Sequence, residues 1–524
     1  MIRATKASSE VSEVPYVSNA KRVGMALALA ATCVVPTLAA GKPMQAPPQT
    51  SDARTHHTLV MGGRSFPYTA TAGLITLKDA KGTPTARMSY IAYTLDGANP
   101  NKRAVTFFYN GGPGSSTVWL HMGSFAPIRV VTTDGSATPP APYRYVDNQY
   151  SLLDKTDEVF VDAPGTGYGR LLPAGKPAKF YGVDQDVAAF AQFIHTYISK
   201  NNRWNSPKVL YGESYGTTRS AALVDYLQSQ DDMGMNGVVL QSSILDFDLD
   251  WGTNFSPVSY ADGDWAYPLY LPTEAATAWY HHAIPHRPAN LRTFLHTVEH
   301  FAMNEYLDAL AKGANVDPSE RQDVIHKLHQ YTGLSEQYIG QANLRVQYGR
   351  FENRLLRNSG KTVGRLDSRF VTYNPDPANT EPYWDPADVL MSPPFVATFN
   401  QYITNDLHYH SNVPYLPTNY GEINQGWDFK HNGMDVTNVA PDLSEAMTTN
   451  PNLKVFSANG YYDLATPYFA TVYTLNHLNL APSIQRNITY GFYESGHMIY
   501  LHPASLIALK NDLDRWYDTV LGSR

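Results

Sequence analysis

The serine in the stretch L-Y-G-E-S-Y-G-T-T (210–218) is the first candidate for chemistry. Ser214 stands between Gly212 and Gly216 and closely follows the apolar run 208–211. Between a strand and a helix, the pattern G-x-S-x-G is typical of a nucleophile elbow, a tight turn that exposes the serine hydroxyl because its glycines lack a Cβ. Short patterns also arise by chance, so an ordinary glycine-flanked turn is the alternative to a catalytic serine.

Two later residues are candidates for the partners that an activated serine needs. A serine hydroxyl becomes a strong nucleophile when a base takes its proton, and that base needs a third group to orient it. Asp463 follows a predicted strand at 453–458, and His497 follows another at 487–493. The order serine, aspartate, histidine, each after a strand, is that of α/β-hydrolases. We therefore predict that Ser214, Asp463 and His497 are catalytic, although a turn-capping aspartate or a solvated histidine would explain either partner alone.

A glycine-rich loop, N-G-G-P-G-S-S (110–116), follows a predicted strand at 103–109. The backbone N–H groups of such a loop can approach a substrate, and acyl transfer needs donors for its oxyanion. The predicted oxyanion hole consists of the N–H groups of Gly112 and of Tyr215, the residue after the candidate nucleophile. A phosphate-binding loop is excluded because no Gly-Lys-Ser or Gly-Lys-Thr follows.

The surrounding sequence alternates strands and helices, which is typical of a parallel sheet covered on both faces. Partial alternation at 73–77 and 87–95 predicts an antiparallel hairpin before this region. The predicted fold is α/β: an α/β-hydrolase fold with a mostly parallel central sheet, an N-terminal antiparallel hairpin and a large inserted, mainly helical cap. The other predicted elements are strands at 158–162, 208–211 and 237–241, core helices at 183–198, 217–228, 467–478 and 503–520, and cap helices at 273–282 and 291–310.

The alternation stops near residue 245 and resumes near residue 450, with an aromatic and proline-rich stretch between. A sheet that is interrupted and later completed indicates an insertion that can shape a pocket. The predicted segments are a signal peptide at 1–40, a flexible lead-in at 41–57, a first part of the hydrolase core at 58–245, an inserted cap at 246–450 and a last part of the core at 451–524.

The N-terminus predicts export. Lys21 and Arg22 precede the apolar stretch 23–40, which ends in small residues, as secretory signal peptides do. Cys33, the only cysteine, lies in this stretch, so the mature protein would contain no disulfide. We predict a periplasmic or extracellular protein with no membrane span after cleavage, and an uncleaved N-terminal anchor is the alternative.

Charge and motifs limit the other partners. The formal net charge is −7 and no stretch supplies a concentrated basic surface, which excludes nucleic acid as a partner. The stretch H-T-V-E-H (296–300) matches the zinc motif H-x-x-E-H, but a zinc site would need a third ligand, so ordinary cap-helix histidines are favoured. We predict no metal and no cofactor, and make no prediction of oligomeric state.

Taken together, the motifs resemble the serine carboxypeptidases, family S10 of the α/β-hydrolases. The resemblance spans 107–498 and rests on F-F-Y-N-G-G-P-G-S-S, V-F-V-D-A-P-G-T-G-Y, Y-G-E-S-Y-G, N-G-Y-Y-D-L-A-T-P and E-S-G-H-M, which occur in the family's order. It implies the same catalytic triad and oxyanion hole. It also implies that Asn110, the N–H of Gly111 and Glu213 bind the free C-terminal carboxylate of a peptide substrate.

Two departures from the family's pattern bear on this implied carboxylate site. Ser115 replaces a cysteine that many eukaryotic relatives have, which fits a bacterial-type member without disulfides. The segment G-S-F-A-P-I (123–128) lacks the acidic residue that partners the elbow glutamate in such relatives. A substrate carboxylate beside Glu213 is a like-charge pair, so one of the two should hold a proton and binding should favour acidic pH.

Three functions are compatible with these residues. The first is a serine-type carboxypeptidase that releases C-terminal amino acids through an acyl-enzyme intermediate. The second is an esterase or acyltransferase that uses the same triad, because fold and triad do not determine the acceptor. The third, a catalytically silent binding protein, is disfavoured by the complete set of catalytic residue types.

Overall fold

A computed structural model of the protein describes residues 52–251 and 261–522. The predicted signal peptide, Cys33 and most of the predicted lead-in lie outside these residues. Among the residues described, no helix is both long enough and apolar enough to cross a bilayer.

The strands are numbered in chain order. They are β1 (Ala53–Met61), β2 (Arg64–Lys78), β3 (Pro84–Leu95), β4 (Ala104–Tyr109), β5 (Ile128–Val130), β6 (Tyr145–Asp147), β7 (Thr156–Val161), β8 (Arg170–Leu171), β9 (Lys208–Ser214), β10 (Gly237–Ser243), β11 (Lys361–Val363), β12 (Val371–Tyr373), β13 (Lys454–Gly460) and β14 (Ile488–Tyr493).

The helices are numbered in the same way. They are α1 (Val118–Gly123), α2 (Val183–Lys200), α3 (Tyr215–Gln230), α4 (Phe247–Trp251), α5 (Ala266–Tyr280), α6 (Leu291–Phe301), α7 (Leu307–Lys312), α8 (Pro318–Thr332), α9 (Glu336–Gln341), α10 (Tyr348–Leu355), α11 (Pro386–Asn405), α12 (Tyr420–Ile423), α13 (Ala440–Thr449), α14 (Tyr468–Asn476), α15 (Pro482–Gln485) and α16 (Pro503–Val520).

One large sheet organises the fold, with the strand order β1-β2-β3-β7-β4-β9-β10-β13-β14 and β8 paired to β3. The strands from β7 to β14 in this order run parallel, whereas β1, β2, β3 and β7 pair antiparallel. Every residue of β4 and β7 is buried, as expected of strands with both faces covered. The predicted fold class, a mostly parallel sheet with an antiparallel N-terminal part, is confirmed. The carboxyl ends of the parallel strands meet at one edge, where open α/β sheets bind ligands.

The N-terminal part of the sheet is larger than the predicted hairpin. β1 adds a third antiparallel strand and begins at Ala53, before the predicted start of order near Thr58. It pairs with β2 over its whole length, from Ala53 opposite Ala72 to Met61 opposite Arg64. The segment A-R-T-H-H-T-L-V-M has too few apolar residues to be recognised as a strand alone. This segment is ordered because it pairs with β2, so the predicted end of the flexible lead-in at residue 57 was wrong.

Both faces of the sheet carry a hydrophobic core. One face buries Phe108 and Tyr211 under α1, α11 and α16, and the other buries Phe107 and Leu210 under α2, α3 and α13. Both α11 and α13 belong to the predicted inserted cap. The insertion therefore supplies two helices that cover the sheet.

A separate hydrophobic cluster forms within the insertion. It contains apolar faces of α5, α6 and α8 and includes Tyr461 and Tyr462 from the loop after β13 and Tyr468 from the start of α14. The loop that carries Asp463 is thus packed into the insertion as well as attached to the sheet. This packing ties the position of Asp463 to the inserted helices.

Candidate active site

Ser214 lies at the sharp turn where β9 ends and α3 begins. Its backbone has a φ of +63° and a ψ of −133°, a conformation that is rare for a residue with a side chain. The turn is so tight that a Cβ added at Gly212 would lie 2.1 Å from the carbonyl oxygen of Gly216. Such strain clusters at functional sites and persists only where surrounding packing imposes it. The local geometry is that of the predicted nucleophile elbow.

Asp463 and His497 are held against each other beyond the ends of β13 and β14. The Nδ1 of His497 lies 2.8 Å from Oδ2 of the completely buried Asp463. An ionised carboxylate only accepts hydrogen bonds, so Nδ1 donates and Nε2 is left as the basic nitrogen. The N–H groups of Ala465 and Thr466 donate to Oδ1 at 2.9 and 3.0 Å, and the Thr466 hydroxyl donates to Oδ2 at 2.7 Å. The carboxylate is therefore fixed before any substrate arrives.

The charge state of His497 reflects opposing influences. Burial disfavours the imidazolium, whereas the carboxylates of Asp463 and Glu213 favour it, and together they raise the pKa of His497 above its usual value. A histidine held in this way is well suited to take up a proton during a reaction.

The strand β10 links the elbow to the histidine loop. Ser243 pairs with Ser214 across the sheet after an irregularity at Ser242, which has a φ of +52°. The Ser242 hydroxyl donates to the carbonyl oxygen of His497 at 2.7 Å. Two adjacent residues of the intervening strand, Ser242 and Ser243, consequently link His497 and Ser214 at the same edge of the sheet.

A segment of the insertion, residues 365–369, connects the two partner loops. The carbonyl of Arg365 accepts from the N–H of Leu464 at 3.0 Å, and Ser368 donates to the carbonyl of Tyr462. On the other side, the N–H of His497 donates to the carbonyl of Leu366 at 2.7 Å. The 365–369 segment therefore contacts the residues on both sides of Asp463 and also His497 itself.

The glycine-rich loop lies directly against the start of α3. A Cβ added at Gly111 would lie 2.4 Å from the backbone nitrogen of Tyr215, so no other residue fits there without movement. This approach brings the predicted oxyanion-hole residues Gly112 and Tyr215 to the same place. The Tyr215 N–H is part of this contact, and Gly112 is the residue that follows Gly111 in the loop.

Arg219 holds the first residue of the glycine-rich loop in place. Its guanidinium pairs with Asp186 at 2.6 Å and donates to the carbonyl of Asn110 at 2.9 Å. Both charged side chains are buried, and the guanidinium also lies 4.1 Å from the ring centroid of Phe190. Removing one partner of such a buried pair typically costs about 3–5 kcal/mol. The first residue of the glycine-rich loop is thus tied to both α2 and α3.

Glu213 is buried beside Ser214 and accepts hydrogen bonds from two amide side chains. Asn110 donates to its Oε1 at 2.6 Å, and Gln241 donates to its Oε2 at 2.7 Å. The Tyr211 hydroxyl donates to Oε1 of Gln241, which directs the Gln241 NH₂ at Glu213. Burial raises the pKa of Glu213 to about 7, although His497, Tyr500 and Asn110 each act to lower this pKa. This carboxyl group therefore changes its protonation near neutral pH.

Sequence reasoning did not identify Gln241, Ser242 and Thr466. Gln241 pairs with Glu213 across neighbouring strands, and this register was not readable from the sequence. Thr466 belongs to the motif that contains Asp463, and a hydroxyl three residues after a loop aspartate is a recognisable turn signal. These residues position the predicted site residues and were missed because their roles depend on contacts between strands and loops.

The H-x-x-E-H stretch lies on α6, where Nδ1 of His296 is 3.4 Å from Oε2 of Glu299. The His296 side chain is 89% exposed, whereas Glu299 accepts a hydrogen bond from the Tyr468 hydroxyl at 2.7 Å. Within residues 52–251 and 261–522, no group of three or more His, Cys, Asp or Glu side chains is placed to hold a metal ion.

Comparison with known proteins assigns the chain to a family. The family model described as serine carboxypeptidase matches residues 63–490, most of the chain. The chain belongs to the serine carboxypeptidase family. It is accordingly a hydrolase of the serine-type carboxypeptidase class. No curated protein sequence matches the chain significantly.

Solved structures are similar to the chain to different degrees. A prohormone-processing carboxypeptidase of Saccharomyces cerevisiae, Kex1(delta)p, has a TM-score of 0.50 at 16% sequence identity, with 86% of this chain and 91% of that chain covered. A proline iminopeptidase of Mycobacterium smegmatis has a TM-score of 0.35 at 13% identity, with 90% of this chain and 100% of that chain covered. At these identities, the similarity to the yeast protein shows the fold alone.

The contact between Gly496 and the 365–369 segment yields a prediction for catalysis. A Cβ added at Gly496 would lie 2.5 Å from Cα of Asp367, so Gly496→Ala must displace the neighbouring His497 or the segment. We expect kcat to fall by about tenfold to a hundredfold, because small displacements of a reacting group are costly. Steady-state kinetics on an ester or peptide substrate measure this effect. Gly421→Ala on α12, where nothing lies within 4 Å, is the control, and an unchanged kcat in Gly496→Ala would contradict the prediction.

Proposed function

We propose that the protein removes C-terminal amino acids from peptides, with Ser214, His497 and Asp463 as its catalytic triad. The observation that carries this proposal is the buried Glu213 carboxyl group, which is hydrogen-bonded to Asn110 immediately next to the elbow serine. A general esterase has no need for a titratable acid at this position. An exopeptidase needs a group that recognises the substrate's free carboxylate.

The proposed reaction uses the triad in two successive steps. Ser214 Oγ attacks the carbonyl carbon of the last peptide bond, and Nε2 of His497 takes the hydroxyl proton. Asp463 stabilises the imidazolium through Nδ1. His497 then gives the proton to the leaving amine, the C–N bond breaks, and the shortened peptide remains as an ester on Ser214. Water attacks this acyl-enzyme with His497 again as the base, which frees the peptide and restores the serine.

The negative oxygen that forms in each half of the reaction needs hydrogen-bond donors. We assign this role to the N–H groups of Gly112 and Tyr215, which the contact between Gly111 and the start of α3 brings together. Loss of one such donor typically costs about 2.7–4 kcal/mol of transition-state stabilisation. The low exposure of the surrounding residues strengthens these interactions because little water competes for the oxyanion.

Recognition of the substrate carboxylate is assigned to Asn110, the N–H of Gly111 and Glu213. The carboxylate would meet Glu213 as a like charge, so the complex is stable when Glu213 carries a proton. Glu213 holds that proton below about pH 7. Binding of free-acid substrates is therefore favoured on the acidic side of neutrality.

The cellular site of action is proposed from the N-terminal sequence. The basic pair Lys21 and Arg22 and the apolar stretch 23–40 support export, with activity in the periplasm or outside the cell. Peptides with a free C-terminus are the proposed substrates in that compartment.

A substrate panel tests the proposed function. We expect the mature protein to release the last amino acid of an N-blocked dipeptide, to act more weakly on its C-terminal amide, and to lose both activities in Ser214→Ala. Product release followed by chromatography is the measurement. Serine-dependent cleavage of a simple ester without cleavage of the dipeptide would contradict the carboxypeptidase proposal and indicate an esterase or acyltransferase.

A second prediction concerns pH. In the wild type, kcat/KM for the dipeptide should rise with pH as His497, which has a raised pKa, loses its proton. It should fall again as Glu213 loses its proton near pH 7. In Glu213→Gln the side chain is uncharged at every pH, so the falling limb should disappear. The measurement is kcat/KM from about pH 5 to pH 9, a range that covers both titrations. The corresponding amide serves as the control substrate, and an identical falling limb in wild type and variant would contradict the role of Glu213.

A further inference from the structure

Tyr500 is a buried aromatic residue next to the proposed carboxylate site. It lies in the short turn Ile499–Leu501, three residues after His497, and only 4% of its surface is exposed. Its ring packs on Gly123, where an added Cβ would lie 2.5 Å from the ring carbon Cε2. Only glycine at position 123 leaves room for the ring in this place.

The Tyr500 hydroxyl faces the polar groups of the site. This hydroxyl interacts with both Glu213 and Asn110, but it forms no well-aligned hydrogen bond with either residue. Buried hydroxyl groups without a well-made hydrogen bond are uncommon and require an explanation, such as a ligand that completes their bonding. Burial raises the pKa of Tyr500 well above its usual value, so the phenol stays protonated and remains a donor at working pH.

The segment 123–128 contains no acidic residue that could pair with Glu213. The hydroxyl of its Ser124 donates to the carbonyl of Leu120 in α1 at 2.5 Å. Gly123 instead gives space to the Tyr500 ring. The side chain that packs on Gly123 and interacts with Glu213 is therefore the neutral phenol of Tyr500.

We propose that Tyr500 is a further substrate-binding residue, whose hydroxyl donates a hydrogen bond to the C-terminal carboxylate of the peptide. This inference rests on the proposed function, in which Asn110 and Glu213 bind the same carboxylate. A carboxylate has two oxygens and accepts several hydrogen bonds. The phenol supplies a donor that carries no charge of its own and does not depend on the protonation of Glu213.

The test compares two substrates that form the same acyl-enzyme and differ in the leaving group. One is an N-blocked dipeptide, which has a free carboxylate, and the other is the ethyl ester of the same N-blocked amino acid, which has none. In Tyr500→Phe we expect KM for the dipeptide to rise about tenfold or more, since hydrogen bonds to charged groups are strong. Both parameters for the ester should stay within about twofold of the wild type, because the triad and oxyanion hole are unchanged.

Tyr517→Phe is the matched control. Tyr517 is also a buried tyrosine, but its hydroxyl is 2.8 Å from the Thr106 hydroxyl on the face of the sheet beneath α16. Loss of that hydroxyl removes a buried hydrogen bond without touching the carboxylate site, so the ratio of dipeptide to ester kcat/KM should stay at the wild-type value. The comparison separates an effect on recognition from a general effect of removing a buried phenol.

The outcomes distinguish this inference from the proposed function. An equal loss on both substrates, or no loss on either, would overturn the assignment of Tyr500, since the first indicates a structural role and the second none. If the wild type releases the amino acid in a Ser214-dependent way, the carboxypeptidase function stands whatever Tyr500→Phe does. If the wild type hydrolyses only the ester, the proposed function and the inference that rests on it both fail.

Discussion

The strained turn at Ser214 is the constraint on which the site depends. A serine with a φ of +63° is held there because Gly212 and Gly216 pack without side chains and because the glycine-rich loop closes onto the same turn. The buried pair of Arg219 and Asp186 fixes that loop through the carbonyl of Asn110. Displacement of any of these groups would relax the turn and separate the serine from the groups around it.

The two titratable groups beside the serine are electrostatically linked. Burial raises the pKa of Glu213 and acts in the opposite direction on His497, while each group's charge favours the charged form of the other. A bound substrate carboxylate would bring its own negative charge beside the protonated Glu213, so one negative charge near His497 is kept in the complex. The two titrations, and the titration of the bound carboxylate, are therefore coupled.

The sequence was sufficient to predict the parallel part of the sheet and the order of the candidate residues along it. Ser214, Asp463 and His497 each follow a strand with a clear apolar signal, and parallel strands bring their carboxyl ends together. The contacts made by Gln241, Ser242 and Tyr500 were not predicted, because they depend on strand register and on side chains from distant segments. The roles of α11 and α13 were missed for a related reason, since an apolar helix face does not reveal which surface covers it.

We propose that Ser214 is the nucleophile and that His497 activates it. Reaction of the mature protein with an alkyl fluorophosphonate, followed by peptide mass mapping, tests this claim most directly. We expect one phosphonyl adduct, on Ser214, with loss of peptidase activity in proportion to labelling, and much slower labelling in His497→Ala. An adduct on another residue that accompanies inactivation, or full peptidase activity after Ser214 is labelled, would contradict the account.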